Sequence, residues 1–159
     1  MKLSSTQKIT FGGVIAALYV VLTMLANALG LASGAIQVRF SEALTILPVF
    51  TAAAIPGLTV GCVLANLLTG CAAWDVVFGS LATLIGAVGT RILKDKPILA
   101  WIPPVISNMA IIPIVLQQVY GVPDAWWYLV VTVGAGEVIS CGILGLLLYH
   151  SLKRIPQFK

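Results

Sequence analysis

Charge in this chain is confined to a few short places, and long apolar runs connect them. Eight of the nine basic residues lie at the N-terminus (Lys2, Lys8), around positions 91–96 (Arg91, Lys94, Lys96) or at the C-terminus (Lys153, Arg154, Lys159). Only Arg39 stands elsewhere, at the lip of an apolar run, with Glu42 three residues on. The chain is 60% hydrophobic and 9% charged, whereas a soluble domain carries about 25% charged residues. It cannot present a normal wet surface, so its solvent is largely lipid. At about 20 residues per spanning helix, 159 residues hold about six or seven spans and no separate soluble domain. The first apolar segment outruns a signal-peptide core and lacks a defensible cleavage site, so it reads as a retained helix.

The pattern predicts an all-α bundle of six transmembrane helices, a single membrane domain over residues 1–159. The helices fall at about Ile9–Leu29, Phe40–Ala54, Leu58–Gly70, Asp75–Leu93, Ile98–Val119 and Trp126–His150. Ser4 to Thr6 are candidate caps of the first, and Pro48 is expected to bend or thin the second. Six spans place both termini and the turn Lys94-Asp95-Lys96-Pro97 on one side. That side then holds eight of the nine basic residues, which makes it cytoplasmic by the positive-inside rule. Trp126, Trp127 and Tyr128 then lie at the outer interface. The basic residues form no stripe with interleaved aromatics, so the net charge of +4 does not indicate nucleic acid. Cys62, Cys71 and Cys141 form no CxxC or Cys/His pattern and read as small packed residues. No metal site, catalytic residue or cofactor is expected.

On this topology Glu42, Asp75, Asp124 and Glu137 all belong to the outer half, together with Arg39. Glu137 lies roughly 16 Å into the last helix at 1.5 Å per residue. A charge that deep costs about 2.5–3.5 kcal/mol, so its face points into protein, either as interhelical glue or as a carboxylate in an outward-opening cavity. Arg39 and Glu42, three apart, share a helical face and either pair with each other or gate that cavity. Asp75 and Asp124 are candidate N-caps as well as candidate ligand contacts. Thr59, Cys62, Asn66 and Thr69 form one polar stripe, and Asn108, Gln117, Gln118 and Tyr120 are polar groups in or near the fifth helix. The candidate substrate-binding set is Gln37, Arg39, Glu42, Trp74, Asp75, Asn108, Tyr120 and Glu137. Carboxylates accept hydrogen bonds and arginine only donates. The balance suits a flat ligand rich in N–H donors, or a cationic one, with a carbonyl for Arg39; a guanine-like base meets that description. In the first helix, Gly12, Gly13, Ala16 and Ala17 form overlapping small-residue pairs four apart. They serve either packing within the chain or docking of a partner membrane subunit.

The run Ala35-Ile-Gln-Val-Arg-Phe-Ser-Glu-Ala-Leu-Thr-Ile-Leu-Pro48, with Ile55-Pro-Gly-Leu58, Gly61-Cys-Val-Leu-Ala-Asn66 and Trp74-Asp-Val-Val-Phe-Gly-Ser-Leu-Ala-Thr-Leu84, resembles the QueT family. These are substrate-binding (S) components of energy-coupling factor (ECF) importers. The resemblance implies capture of a queuosine precursor, a 7-deazaguanine such as preQ1 or preQ0, from outside. It also implies a partner transmembrane subunit and two ATP-binding subunits. Some similar subunits serve cobalamin, which leaves an S component for cobalamin or another vitamin as the alternative. A stand-alone proton-coupled carrier or channel using Glu137 is a further one. The chain contains no GxxxxGK[ST], HExxH or GxSxG motif, so neither ATP hydrolysis nor these hydrolytic chemistries are expected within it.

Overall fold

The second apolar segment is not an α-helix but the axis around which the others pack. In the computed structural model, which describes residues 4–31 and 36–156, Phe40–Val49 forms a ten-residue 3₁₀ helix. Most of it is buried, from Ser41 and Glu42 through Leu44 to Pro48. At about 2.0 Å per residue it covers roughly 20 Å, a distance that ten residues of α-helix would not reach. It packs against the first two long apolar helices and the shorter one between them, and against the C-terminal helical stretch. Lys2 and Lys159, which enter the charge count, and residues 32–35, the last of them the first residue of the motif quoted above, lie outside the described residues.

There are six α-helices among the described residues: α1 (Ser5–Ala28), α2 (Ala54–Leu68), α3 (Ala73–Ile92), α4 (Ile102–Gln118), α5 (Trp126–Glu137) and α6 (Gly145–Leu152); of these, α1, α2, α3 and α6 pack on the 3₁₀ segment. A π-helical segment, Val138–Leu144, joins α5 to α6. Four continuous helical stretches are long and apolar enough to cross a membrane: Ser5–Ala28, Ala73–Ile92, Pro97–Gln118 and Trp126–Leu152. Phe40–Val49 and Ala54–Leu68 are shorter apolar helices between them. Among the described residues there is no β-strand.

Ser4 caps α1 in a reciprocal capping box with Gln7. The other expected caps are corrected. Ala72, not Asp75, is the N-cap of α3, and Ala125, not Asp124, is that of α5. Asp75 sits three residues into its helix, where its charge suits the positive end of the helix dipole without capping it. Pro103 and Pro104 stand in the first turn of α4, where the missing N–H groups have no helical partner to lose. Their rings lie against Gly89 and Gly86 of α3, so helix-disfavoured residues on one side are matched by absent side chains on the other.

The small residues of α1 divide by face. Gly12 and Ala16 are buried against Gly57 and Gly61 of α2, and a Cβ on Gly57 would stand 2.6 Å from the Gly12 carbonyl oxygen. Gly13 and Ala17 are exposed, and nothing lies within 4 Å of where a Gly13 Cβ would be. The end of the bundle bearing Lys8, Arg91 and Lys153 is closed by Phe50 stacked on Tyr149 at 5.4 Å. Arg91 Nη1 donates there to the carbonyls of Pro48 and Val49, at 3.0 and 3.2 Å. The 3₁₀ axis is thus anchored at this basic end, and its other end leads to Arg39.

Candidate substrate-binding site

At the opposite end a polar cavity of about 350 Å³ opens among α1, α2, α3 and the end of α4. Its lining includes Gln37, Arg39, Thr69, Cys71, Asp75 and Tyr120. Four of the eight expected binding residues, Gln37, Arg39, Asp75 and Tyr120, therefore meet at one cavity. A second cavity of about 350 Å³ adjoins it through Gln37, Leu116 and Val122 and runs toward Asp124 and Tyr128.

Each wall has a local cause. Gly70, at φ +73°, ends α2 in the left-handed region that favours glycine. The Cys71 and Gly70 N–H groups then close back on the carbonyls of Asn66 and Leu67, which turns the chain sharply into α3 beside the cavity. Tyr120 ties α4 to that turn. Its hydroxyl accepts from the Ala72 N–H at 3.1 Å and donates to Asp75 Oδ2 at 3.0 Å. Partial burial, with the Asp75 carboxylate beside it, pushes the Tyr120 phenol up to about 12, so it remains a donor across the physiological pH range.

Arg39 does not form an ion pair with Glu42. Its Nη2 donates to Asn66 Oδ1 at 3.4 Å, and its backbone N–H donates to Ser140 Oγ at 3.1 Å. Glu42 instead turns inward, is only 2% exposed, and accepts a short hydrogen bond on Oε1 from the Tyr19 hydroxyl. Its other oxygen, Oε2, has no partner among the described residues. An unmatched buried carboxylate oxygen carries a desolvation cost of about 1–3 kcal/mol or more, and a ligand N–H would offset it.

Glu137 and Glu42 converge at Cys141, and none of the three is among the residues that line the cavity. The Cys141 thiol donates to Glu137 Oε2 at 3.2 Å and lies 3.4 Å from Thr45 Oγ1. One ligating atom each from Glu42, Glu137 and Cys141 lies within 4.8 Å of the others. That donor set can hold a cation or an N–H-rich group. Asn108 is buried beside Glu137. Three of the expected residues, Glu42, Asn108 and Glu137, thus belong to this buried layer rather than to the cavity wall. Trp74 does neither: it is 60% exposed, stacks on Phe78 at 5.7 Å and lines a separate apolar groove with Ile111 and Ile114.

Sequence reasoning passed over Tyr19, Ser140 and Cys141. Tyr19, 1% exposed in the middle of α1, counts as apolar in a hydropathy reading although its hydroxyl needs a partner in lipid. Ser140 and Cys141 reach the 3₁₀ axis because the π segment re-aims them, and π segments are frequent at functional sites. Gly136 completes the arrangement. A Cβ there would stand 2.0 Å from the Gln37 carbonyl oxygen, so only glycine lets the Gln37–Arg39 strap lie against α5.

An all-helical bundle rich in membrane-spanning segments, with a polar cavity open at one end, is the architecture of a multi-pass protein of the cell membrane that handles a small polar solute. The chain belongs to the QueT transporter family, whose model matches residues 9–154. It is 40% identical over 86 residues to the queuosine precursor transporter QueT of Lactococcus lactis subsp. cremoris, a match covering 54% of this chain and 50% of the relative. The matched stretch thus spans about half the length of that relative. No solved structure matches the chain.

Proposed function

We propose that this chain is the substrate-capture component of an ECF-type importer and that it takes a queuosine precursor, a 7-deazaguanine, into the cavity beside Arg39. The observation that carries the reading is the meeting of Gln37, Arg39, Asp75 and Tyr120 at one cavity of about 350 Å³; the orphaned Glu42 Oε2 lies in the 3₁₀ segment that Arg39 caps. A deazaguanine presents a ring N–H and an exocyclic amine to carboxylates and a carbonyl to a guanidinium. Small-molecule cavities run from about 300 to 1,000 Å³, and this one sits at the small end. It suits a single flat heterocycle, whereas a corrinoid is several times larger. The named function of the Lactococcus relative supports the same choice.

The basic end, with Lys8, Arg91, Lys94, Lys96, Lys153 and Arg154, faces the cytoplasm in this reading, and the cavity opens outward. Energy comes from partner ATPases, since these residues contain no phosphate-binding loop. Gly13 and Ala17, on the free face of α1, are the docking positions for the partner membrane subunit. The chain itself performs no chemistry on its solute. The reading is tested by reconstituting the purified chain in liposomes with and without the ATPase module. Uptake of the deazaguanine only with the module and ATP supports it. Proton-driven uptake by the chain alone contradicts it and favours a carrier that uses Glu137.

A further inference from the structure

We propose that the groove at the basic end of the bundle is a binding site for an anionic glycerophospholipid. The groove has a volume of about 900 Å³ and lies between the first turns of α1 and α2 and the end of α3, with Lys8, Arg91, Ile9, Thr51, Pro56 and Val60 among its lining residues. Its chemistry is divided along its length. Lys8 and Arg91 supply positive charge at the rim. Ile9 and Val60, 78% and 50% exposed, and Pro56 offer an apolar surface that runs from the rim along α1 and α2.

Neither cation is neutralised by an acidic side chain among the described residues. Arg91 spends one nitrogen on the Pro48 and Val49 carbonyls, which fixes the guanidinium and leaves its other N–H groups without a partner among those residues. Neither Arg91 nor Lys8 has an ion pair among the described residues. Of the five acidic residues of the chain, only Asp95 belongs to this end. Thr51 adds a neutral donor: its hydroxyl oxygen accepts from the Ala53 N–H at 3.3 Å, so its own proton can be given to an external acceptor. A fixed guanidinium, an ammonium and a hydroxyl converging above an apolar trough fit a phosphodiester with one acyl chain beneath it. A zwitterionic lipid shares the phosphate but brings its own ammonium toward Lys8 and Arg91. The two-cation rim therefore selects for net negative charge.

The test uses the full chain purified in a neutral detergent and analysed by native mass spectrometry with dioleoyl-phosphatidylglycerol, dioleoyl-phosphatidylcholine and inorganic phosphate. Retention of the phosphatidylglycerol adduct in preference to the phosphatidylcholine one is expected. Lys8→Gln, at an exposed position away from the solute cavity, should weaken that retention by about fivefold, the contribution of one basic residue near a lipid surface. Val60→Trp, which fills the trough, should abolish it. Equal retention of the two lipids, or retention unchanged in both variants, overturns the proposal. Stabilisation by phosphate alone that matches the lipid overturns it in favour of a free-anion site. Failure of phosphatidylglycerol to enter a groove that a partner subunit's helix occupies in the assembled importer, together with no adduct on the free chain, overturns it in favour of a protein interface.

Discussion

Glu42 is held by one oxygen only, and Tyr19 is what makes that asymmetry. The Tyr19 hydroxyl takes Oε1, and Oε2 has no partner among the described residues. Glu42→Gln should weaken deazaguanine binding about tenfold or more, because a hydrogen bond to a charged group is worth about 1.5–3 kcal/mol. Glu137→Gln should act in the same direction. Calorimetry on folded variants checks both, and unchanged affinity would remove these carboxylates from the site. Tyr19→Phe should lower stability by about 1–3 kcal/mol, since it strips a buried carboxylate oxygen of its donor; a thermal midpoint equal to the parent's would show that water replaces the phenol. Charged residues were legible in the sequence as site candidates because lipid makes every charge an exception. Tyr19 was not, because a phenol inside an apolar run gives no such signal. Trp74 misled for the opposite reason: aromatic character marks a ligand platform and a lipid-facing surface equally well.

At the level of elements, the apolar runs located six helical segments to within a few residues, four of them long and apolar enough to cross a membrane, with Pro56-Gly57 and Lys94-Asp95-Lys96-Pro97 as effective punctuation. The hydrogen-bond class of two of them was hidden. The 3₁₀ axis and the π segment differ from an α-helix in which carbonyl each N–H meets, and an apolar run is compatible with all three. The cap assignments at Asp75 and Asp124 failed by position: α3 begins at Ala73, so Asp75 is already inside it, and α5 begins at Trp126, so Asp124 stands one residue before the cap. Two glycines test the packing of elements. Gly136→Ala should push the Gln37–Arg39 strap off α5 and abolish solute binding while circular dichroism still reports a helical protein. Gly61→Val should loosen α1 from α2, since even a Cβ there would stand 2.7 Å from the Tyr19 Cβ. An overpacked interface of this kind costs about 1–3 kcal/mol, visible as a lower unfolding temperature.

On the proposed reading, the whole molecule separates two jobs by end and by face. The polar cavity lies at the end with Arg39 and Asp75, and Gly13 and Ala17 are exposed on the outer surface of α1. Gly13→Leu and Ala17→Leu should therefore spare solute affinity and block co-purification with the partner membrane subunit. Assembly of both variants with the intact module would remove α1 as the docking face. Membrane residence was legible from composition alone. Which half of the small-residue pattern remains available was not, because Gly12 and Ala16 share the spacing of Gly13 and Ala17 and only the position of α2 distinguishes them. Capture of a deazaguanine in the cavity beside Arg39 is tested most directly by titrating the purified chain with 7-aminomethyl-7-deazaguanine and, separately, with cobalamin. Saturable binding of the deazaguanine, lost in Glu42→Gln, and no binding of cobalamin are expected. Binding of cobalamin with no heat from the deazaguanine would contradict it.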